Sequence, residues 1–160
     1  MYAQLVALGL DAWGTDENGL AQWVDAETKL PVPEPADWHD PALTHGLQYT
    51  VPREAVEELR RRAGDHTVYV CGGAGDEFGF WDLLDLVVCI VVDDQTLRHR
   101  LATRTGNDYG KAQHELDSIL HANRTWEATY REHGAVIVDG TKPVAEVVAE
   151  VIAAAAAVAP

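Results

Sequence analysis

Two uninterrupted apolar runs, residues 68–71 and 86–92, constrain the fold more than any other feature of the sequence. Neither run alternates apolar with polar residues, so both are predicted to be strands that are buried on both faces, as in a parallel sheet covered by helices. The glycine-rich segment 72–75 follows the first run, and Asp93 and Asp94 follow the second. Because ligands of open α/β sheets bind outside the carboxyl ends of the strands, a functional site is expected at these two exits.

The order of the predicted elements is that of a layered α/β domain. Further strands are predicted at residues 10–14 and 135–138. Helices are predicted from helical spacing and end signals at residues 2–8, 17–24, 52–63, 78–84, 94–103, 111–133 and 144–157. This alternation predicts a three-layer α/β/α fold with a mostly parallel sheet, formed by residues 1–160 as a single domain. Residues 25–49, which contain four prolines, are predicted to be irregular.

The charge balance argues against whole classes of partner. The 26 acidic residues outweigh 12 basic ones and give a net charge of −14, so neither nucleic acid nor an anionic membrane is an expected partner. No apolar run approaches the ~20 residues that a membrane span needs, and with no signal-peptide pattern we expect a cytoplasmic protein. Cys71 and Cys89 lie in predicted strands and are expected to be core residues, since no cysteine and histidine spacing indicates zinc.

A search for a phosphate-binding loop gives a negative result. The motif GxxxxGK[ST], whose amides cradle phosphates, does not occur in the 160 residues. The nearest segment, residues 106–112, has one residue too few between its glycines and ends in alanine instead of serine or threonine. It also follows an arginine-bearing helix and not a strand, so we reject it.

The predicted helix at residues 94–103 carries the most informative basic residues. Leu97 and Leu101 are expected to face the core, whereas Arg100 and Arg104 are four residues apart on one edge. Two guanidinium groups in this register would form a multi-donor clamp for phosphate oxygens. The alternative is that both are surface arginines paired with acidic residues.

With its flanking residues, this helix resembles the P-loop kinases of small metabolites, the group of adenylate, shikimate and gluconate kinases. Residues 100–104 (RLATR) match the RLxxR pattern that leads into their lid, so residues 98–112 are expected to form a lid-like segment over ATP. Adenylate kinases continue with acidic residues and then an arginine and a tyrosine on the next helix, and Asp108, Arg124 and Tyr130 stand at similar positions.

The same resemblance implies roles for three further segments. One is similar to the acceptor-binding turn of shikimate kinases and comprises Gly72, Gly73, Ala74 and Gly75. Another is similar to the final turn that abuts adenine and comprises Asp139, Gly140, Thr141, Lys142 and Pro143. Asp16 is similar to the aspartate that ends the second strand of these kinases and touches Mg²⁺ or the acceptor hydroxyl. From the residues alone, Asp16 can equally be a plain helix N-cap.

The activity implied by the resemblance is transfer of the γ-phosphoryl group of ATP to a small acceptor, with Mg²⁺. Arg100, Arg104 and Arg124 would steady the transferring group, and Asp16 would orient the acceptor or the metal. Because the chain lacks the amide nest and lysine of a P-loop, we expect it to bind ATP–Mg²⁺ poorly and to transfer no phosphoryl group. Two alternatives stay open: a non-catalytic relative that binds a nucleotide or a partner protein, and an unrelated doubly wound domain whose arginines are structural.

The opening of the sequence suggests a longer protein. Residues 2–8 have the pattern of the last turns of a helix that ends at Gly9, and the strand at residues 10–14 is similar to the second strand of the kinases. We therefore expect a first strand and a phosphate loop, on the order of 20 residues with the start of a helix, ahead of Met1 in a longer reading.

Overall fold

The computed structural model describes residues 1–73 and 75–158. It contains two compact units, one formed by residues 1–85 with Val158 and the other by residues 86–157. Whether the two units behave as one domain stays a prediction. No helix within the described ranges is long and apolar enough to cross a membrane.

The first unit contains one parallel and one antiparallel pair of strands. Its strands are β1 (Ala12–Gly14), β2 (Gln22–Asp25), β3 (Leu47–Thr50) and β4 (Tyr69–Cys71). Its helices are α1 (Tyr2–Ala7), α2 (Pro41–Thr44), α3 (Arg53–Ala63) and a 3₁₀ helix (Glu77–Leu83). β1 pairs with β4 in parallel, and β2 pairs with β3 antiparallel. The predicted helix ends at Gly9 and Gly64 are confirmed, and both residues have positive φ.

The predicted helix at residues 17–24 is wrong. The amide of Gly14 donates to Asn18 Oδ1 at 2.8 Å, and Asn18 donates its own amide back to the Gly14 carbonyl at 3.1 Å, which closes a tight turn. The chain then enters β2, where Trp23 contacts Tyr49 of β3 with ring centroids 5.4 Å apart. Pairing with a strand more than twenty residues away therefore outweighs the local capping signal. It also gives regular structure to part of the segment that was predicted to be irregular.

The core of the first unit lies between α3, the 3₁₀ helix and the start of β2. Its buried cluster comprises Ala21, Val51, Val56 and Phe80. Val56 and Leu59 of α3 are buried, as the helical spacing predicts. Arg53 at the start of α3 donates to both carboxylate oxygens of Asp82 at 2.7 Å, and this bidentate pair ties the two helices together.

The second unit is built on one parallel pair of strands. Its elements are β5 (Val88–Val91), α4 (Asp94–Thr103), α5 (Gln113–Glu132), β6 (Val136–Asp139) and α6 (Val144–Ala156). β5 and β6 are in register from Val88 opposite Val136 to Val91 opposite Asp139. Helix α5 packs on both strands, and α6 packs on β6. Asp93 is the N-cap of α4 and accepts the amide of Thr96 at 2.7 Å.

The prediction that the apolar strands are buried on both faces is wrong for the second unit. Ile90 of β5 is 39% exposed and Val136 of β6 is 40% exposed. Each strand belongs to a two-stranded sheet, so its apolar side chains are not enclosed on every side. An apolar run indicates that a strand tends to be buried. The helices and strands that would cover it lie elsewhere in the chain, and the run itself does not identify them.

The α/β class is confirmed. Within the described residues the strands form three two-stranded sheets, two parallel and one antiparallel, and not one continuous sheet.

Candidate functional site

The carboxyl ends of β1 and β4 lie side by side in the first unit. Gly14 is opposite Cys71 at the last position of the parallel register. The amide of Thr15 donates to the Cys71 carbonyl at 2.9 Å, so the ladder extends one step further. Asp16 then leaves one strand and Gly72 leaves the other at the same edge of the sheet, where α/β proteins place their ligands.

Two glycines pack closely against side chains at this edge. Gly72 has a φ of +128°, and a Cβ placed on it would clash with Thr15 Oγ1. A Cβ on Gly14 would clash with the carboxylate of Glu17. Thr15 itself is only 5% exposed. The side chains of Thr15 and Glu17 therefore occupy the space that larger residues at positions 72 and 14 would need, and the two strand exits are held close together.

A hydrogen bond from Tyr49 orients Asp16. The phenolic hydroxyl of Tyr49 on β3 donates to Asp16 Oδ1 at 3.2 Å. Burial, followed by the negative charge of Asp16, raises the pKa of Tyr49 from 10.0 to about 12. Glu34 and Glu17 act in the same direction. The phenol therefore stays a neutral donor over the whole physiological pH range, and Asp16 is held as an acceptor.

Glu77 adds a carboxyl group that titrates near neutrality. Its Oε2 lies 3.3 Å from the place where a Cβ of Gly73 would be, so the side chain lies beside Gly73. Burial raises the pKa of Glu77 from 4.5 to about 7. No hydrogen bond or ion pair to this carboxyl is found among the residues that the structure describes. A carboxyl in this state can accept or donate a proton at physiological pH.

The rest of the glycine-rich turn is partly occupied by the protein itself. The amide of Gly75 donates to the Tyr49 carbonyl at 2.8 Å, and Thr50 Oγ1 donates to the Gly75 carbonyl. Gly75 is therefore bound to β3, whereas Gly72 and Gly73 are exposed. Ala74, which the kinase resemblance places in the same acceptor site, lies outside the described residues.

The electrostatics of this edge favour neutral or positively charged ligands. Asp16, Glu17 and Glu34 all act on the one phenol of Tyr49. Lys29 is a cation on the flank, but it donates to Gln48 Oε1 at 2.8 Å and lies 3.6 Å from Asp76 Oδ2. Carboxylates without a free cation beside them accept hydrogen bonds from hydroxyl or ammonium groups and repel phosphates.

The two arginines of the predicted clamp have separate partners in the second unit. Arg100 Nη2 donates to the Gly140 carbonyl at 2.7 Å. Arg104 follows α4 with extended backbone (φ −66°, ψ 147°), so it leaves the helical register in which it would stand one turn from Arg100. Its Nη2 donates to the Tyr109 carbonyl and, at 3.3 Å, to Asn107 Oδ1. Both guanidinium groups therefore stabilise loops in this structure.

Arg124 is engaged by an acidic residue. Its Nε and Nη2 donate to Asp94 Oδ2 at 3.1 and 2.8 Å. Asn123 donates to Asp94 Oδ1 at 3.3 Å and to the Val92 carbonyl at 3.0 Å. Together these bonds tie α5 to the start of α4 and lower the pKa of Asp94, chiefly through Arg124. The three arginines that the sequence groups as phosphate ligands are thus dispersed over three different contacts.

The turn predicted to abut adenine is a compact structural turn. Asp139 Oδ1 accepts from the amide and the hydroxyl of Thr141 at 2.9 and 2.7 Å. Gly140 is buried, and a Cβ there would lie 2.6 Å from Ile90 Cγ2. Lys142 reaches forward to Glu150 Oε1 at 2.6 Å, and Pro143 is the N-cap of α6. The structure does bring this turn to Arg100, through the Gly140 carbonyl.

The described residues do not fit the triphosphate of ATP. Helix α4, which follows β5, carries Asp93 at its N-cap and Asp94 in its first turn, and α6 carries Glu146 in its first turn. Acidic side chains occupy the positions where a helix N-terminus would hold a phosphate. Nor do the described residues include a group of three or more His, Cys, Asp or Glu side chains that could hold a metal ion. Asp16 by itself could supply one carboxylate to a magnesium ion that other ligands hold.

Sequence reasoning missed Tyr49, Glu17 and Glu77. The alternation of residues 47–50 just before Pro52 was an available signal for a strand, and it would have directed Gln48 and Thr50 to one face and Tyr49 to the other. Nothing local marks Glu77, because its pKa depends on burial by residues that are distant in sequence.

Comparison with protein-family models, with curated proteins and with solved structures finds no significant match to this chain.

Proposed function

We propose that this chain is a relative of the P-loop kinases of small metabolites that binds a small acceptor molecule at the carboxyl ends of β1 and β4 and transfers no phosphoryl group as it stands. The observation that carries the proposal is the register of Gly14 opposite Cys71, which brings the segments that begin with Asp16 and Gly72 to the same edge of the sheet. The kinase resemblance assigns these same residues to the acceptor. A three-layer α/β/α arrangement with a P-loop fold is part of this proposal.

The acceptor is a neutral or cationic molecule that offers hydroxyl or amino groups. Asp16 accepts a hydrogen bond from such a group, while Tyr49 keeps the carboxylate oriented. The exposed backbone of Gly72 and Gly73 lets the ligand approach closely. Glu17 and Glu34 disfavour ligands that carry a phosphate or carboxylate at this edge. Nucleosides, sugars and amino sugars fit this description better than nucleotides or sugar acids.

The arginines predicted to contact ATP are engaged within the protein. Arg100 and Arg104 donate to backbone carbonyls, and Arg124 is paired with Asp94. Phosphate contact would require each to exchange its partner for a phosphate oxygen, and no amide nest compensates for the acidic helix starts. We therefore derive no catalytic step that involves ATP or Mg²⁺ from this geometry.

The test compares the binding of neutral and cationic ligands with the binding of anionic ones. Adenosine, ribose and glucosamine are titrated into the purified chain, with AMP and gluconate as anionic counterparts, while the amide resonances of Gly72 and Gly73 are followed by NMR. We expect saturable shifts from at least one neutral or cationic ligand and weaker binding of AMP than of adenosine. Asp16→Asn should lower that affinity by on the order of tenfold, the value of one charge-assisted hydrogen bond.

Asp65→Asn is the matched control, since Asp65 is an exposed acidic residue in the turn after α3. It should leave the affinity unchanged. Absence of saturable shifts with the whole panel, or tighter binding of AMP than of adenosine, would contradict the acceptor site. A separate incubation with ATP–Mg²⁺ tests the second half of the proposal, because turnover at ordinary kinase rates is incompatible with it.

A further inference from the structure

A cavity of about 110 Å³ lies at the opposite edge of the β1–β4 pair, where these strands begin. Asp11 precedes β1 and Val68 precedes β4, and the amide of Tyr69 donates to the Asp11 carbonyl at 2.8 Å. The side chains that line the cavity come from both strand starts and from the end of α3: Asp11, Trp13, Leu59, Arg62, His66 and Val68. The volume is several times the roughly 10–15 Å³ that a single water needs, so a small molecule can enter.

Asp11 organises two of the aromatic side chains in this cavity. Trp13 Nε1 donates to Asp11 Oδ1 at 2.9 Å, and His66 Nε2 lies 3.1 Å from Asp11 Oδ2. Each carboxylate oxygen therefore has a partner on a ring. The only donor of the indole is engaged within the protein, and the Asp11 carboxylate itself repels an anion, so an anionic ligand must be held by the cationic part of the lining.

That cationic part is Arg62. Its guanidinium carbon lies 5.1 Å from the centre of the Trp13 ring, within the range of a cation–π contact. The two preceding arginines are engaged: Arg60 donates to the Leu83 carbonyl at 2.6 Å, and Arg61 pairs with Glu58 at 2.6 Å. Among the described residues no hydrogen bond or ion pair from Arg62 is found.

The contact with Trp13 leaves the edge of the guanidinium available. A guanidinium over an aromatic ring keeps its five N–H donors in the plane that matches a carboxylate or phosphate. Arg61 is the chief cause of the lowered pKa of Glu58, and the charge of Arg62 acts in the same direction, but no hydrogen bond or ion pair joins Arg62 to Glu58 in the described part of the chain. The aromatic contact also restricts the side chain before a ligand arrives, which lowers the entropy lost on binding.

We propose that this cavity binds a small oxyanion, either a carboxylate or a phosphate group, through Arg62. The anion lies against the edge of the guanidinium, and the His66 ring, whose Nε2 is 3.1 Å from Asp11 Oδ2, is a further polar group of the lining. The site is independent of the acceptor site at the other edge of the sheet, and neither proposal rests on the other.

The test follows the Trp13 indole N–H and the Arg62 Nε–H resonances by NMR while sodium acetate or sodium phosphate is added, with sodium chloride at equal ionic strength as the reference. Trp13→Phe assigns the indole signal among those of the five tryptophans. We expect saturable shifts with acetate, with phosphate or with both, and the responding probe identifies the oxyanion. No saturable shift with either, or an equal response to chloride, would overturn the proposal.

Two glutamine variants locate the effect. Arg62→Gln keeps most of the side-chain stem and should weaken binding by on the order of tenfold or more, the value of a charge-assisted contact. Arg98→Gln removes an exposed charge on α4, which does not line the cavity, and should leave binding intact. Equal affinity in the wild type and Arg62→Gln refutes the site. If the spectrum of Arg62→Gln shows that the variant is unfolded, the Arg62 Nε–H titration of the wild type decides the question, since that signal reports the contact directly.

Discussion

Tyr49 donates its hydroxyl to Asp16 across 3.2 Å, although the two residues are 33 positions apart in the chain. Tyr49 lies on β3 of the antiparallel pair, whereas Asp16 follows β1 of the parallel pair. The hydrogen bond therefore joins two sheets of the first unit at the edge where the candidate site lies. It also turns a residue that local sequence identifies as a helix cap into an oriented surface acceptor.

Asp16→Asn should lower the pKa of Tyr49 from about 12 while leaving it above 10.0, because burial contributes more to the raised pKa than the charge of Asp16 does. The tyrosinate absorbance measured against pH reports this change, with Tyr49→Phe to identify the signal. In the wild type, the folded state retains the phenolic proton to higher pH than the unfolded state. Stability from this group is thus complete below pH 10 and is lost as the pH rises towards 12. An unchanged Tyr49 pKa in Asp16→Asn would show that the hydrogen bond is absent in solution.

Gly72→Ala should destabilise the protein by about 1–3 kcal/mol, because its positive φ is unfavourable for alanine and the new Cβ meets Thr15 Oγ1. Gly73→Ala is the matched control in the same turn. A Cβ at that position meets only the flexible end of Glu77, at 3.3 Å, and should cost much less. Urea unfolding measures both variants. Equal losses in the two would mean that the close approach of Gly72 to Thr15 does not limit the residue at this position.

Glu77→Gln should change how stability depends on pH. The pKa of Glu77 is raised by burial from 4.5 to about 7, so the protonated form is favoured by folding. Its contribution is complete below pH 4.5 and is lost as the pH rises through 7. We expect the wild type to lose roughly 1–2 kcal/mol over this range relative to Glu77→Gln, a value reduced for the partial exposure of the carboxyl. Parallel pH profiles of unfolding free energy for the two proteins would contradict this assignment.

Arg104→Ala should destabilise the second unit by about 1–2 kcal/mol, because it removes the donor to the Tyr109 carbonyl and to Asn107 Oδ1. Arg98→Ala on the preceding helix α4 is the control, since Arg98 is exposed, and it should change stability by less than about 0.5 kcal/mol. Hydrogen exchange at the amide of Gly110, which donates to Glu115 Oε2 at 2.8 Å, reports whether the loop opens. If Arg104→Ala and Arg98→Ala have the same unfolding free energy and the same hydrogen-exchange rate at the Gly110 amide, then Arg104 does not stabilise this loop.

The sequence by itself determined the elements whose signals are local. Apolar runs gave the positions of β4, β5 and β6, and helical spacing gave α3, α5 and α6, within a few residues of their observed bounds. The helices predicted at residues 2–8, 52–63 and 111–133 are followed by Gly9, Gly64 and Gly134, and each of these glycines has positive φ. These features depend on side chains and backbone angles within one or two turns of the chain. They can therefore be predicted from the local sequence.

The tertiary structure alone decided which of these elements meet and what their polar residues contact. The pairing of β2 with β3 overrode a capping signal at Asp16 and brought Tyr49 to it. The spacing of Arg100 and Arg104 predicted that they form one phosphate clamp. However, α4 ends at Thr103, and the two side chains donate to different backbone carbonyls. The pKa of Glu77 likewise follows from burial by distant residues. A charged or hydrogen-bonding group pairs with a partner that the fold brings close to it. Long-range packing decides which partner that is, and the spacing of residues along the chain does not predict it.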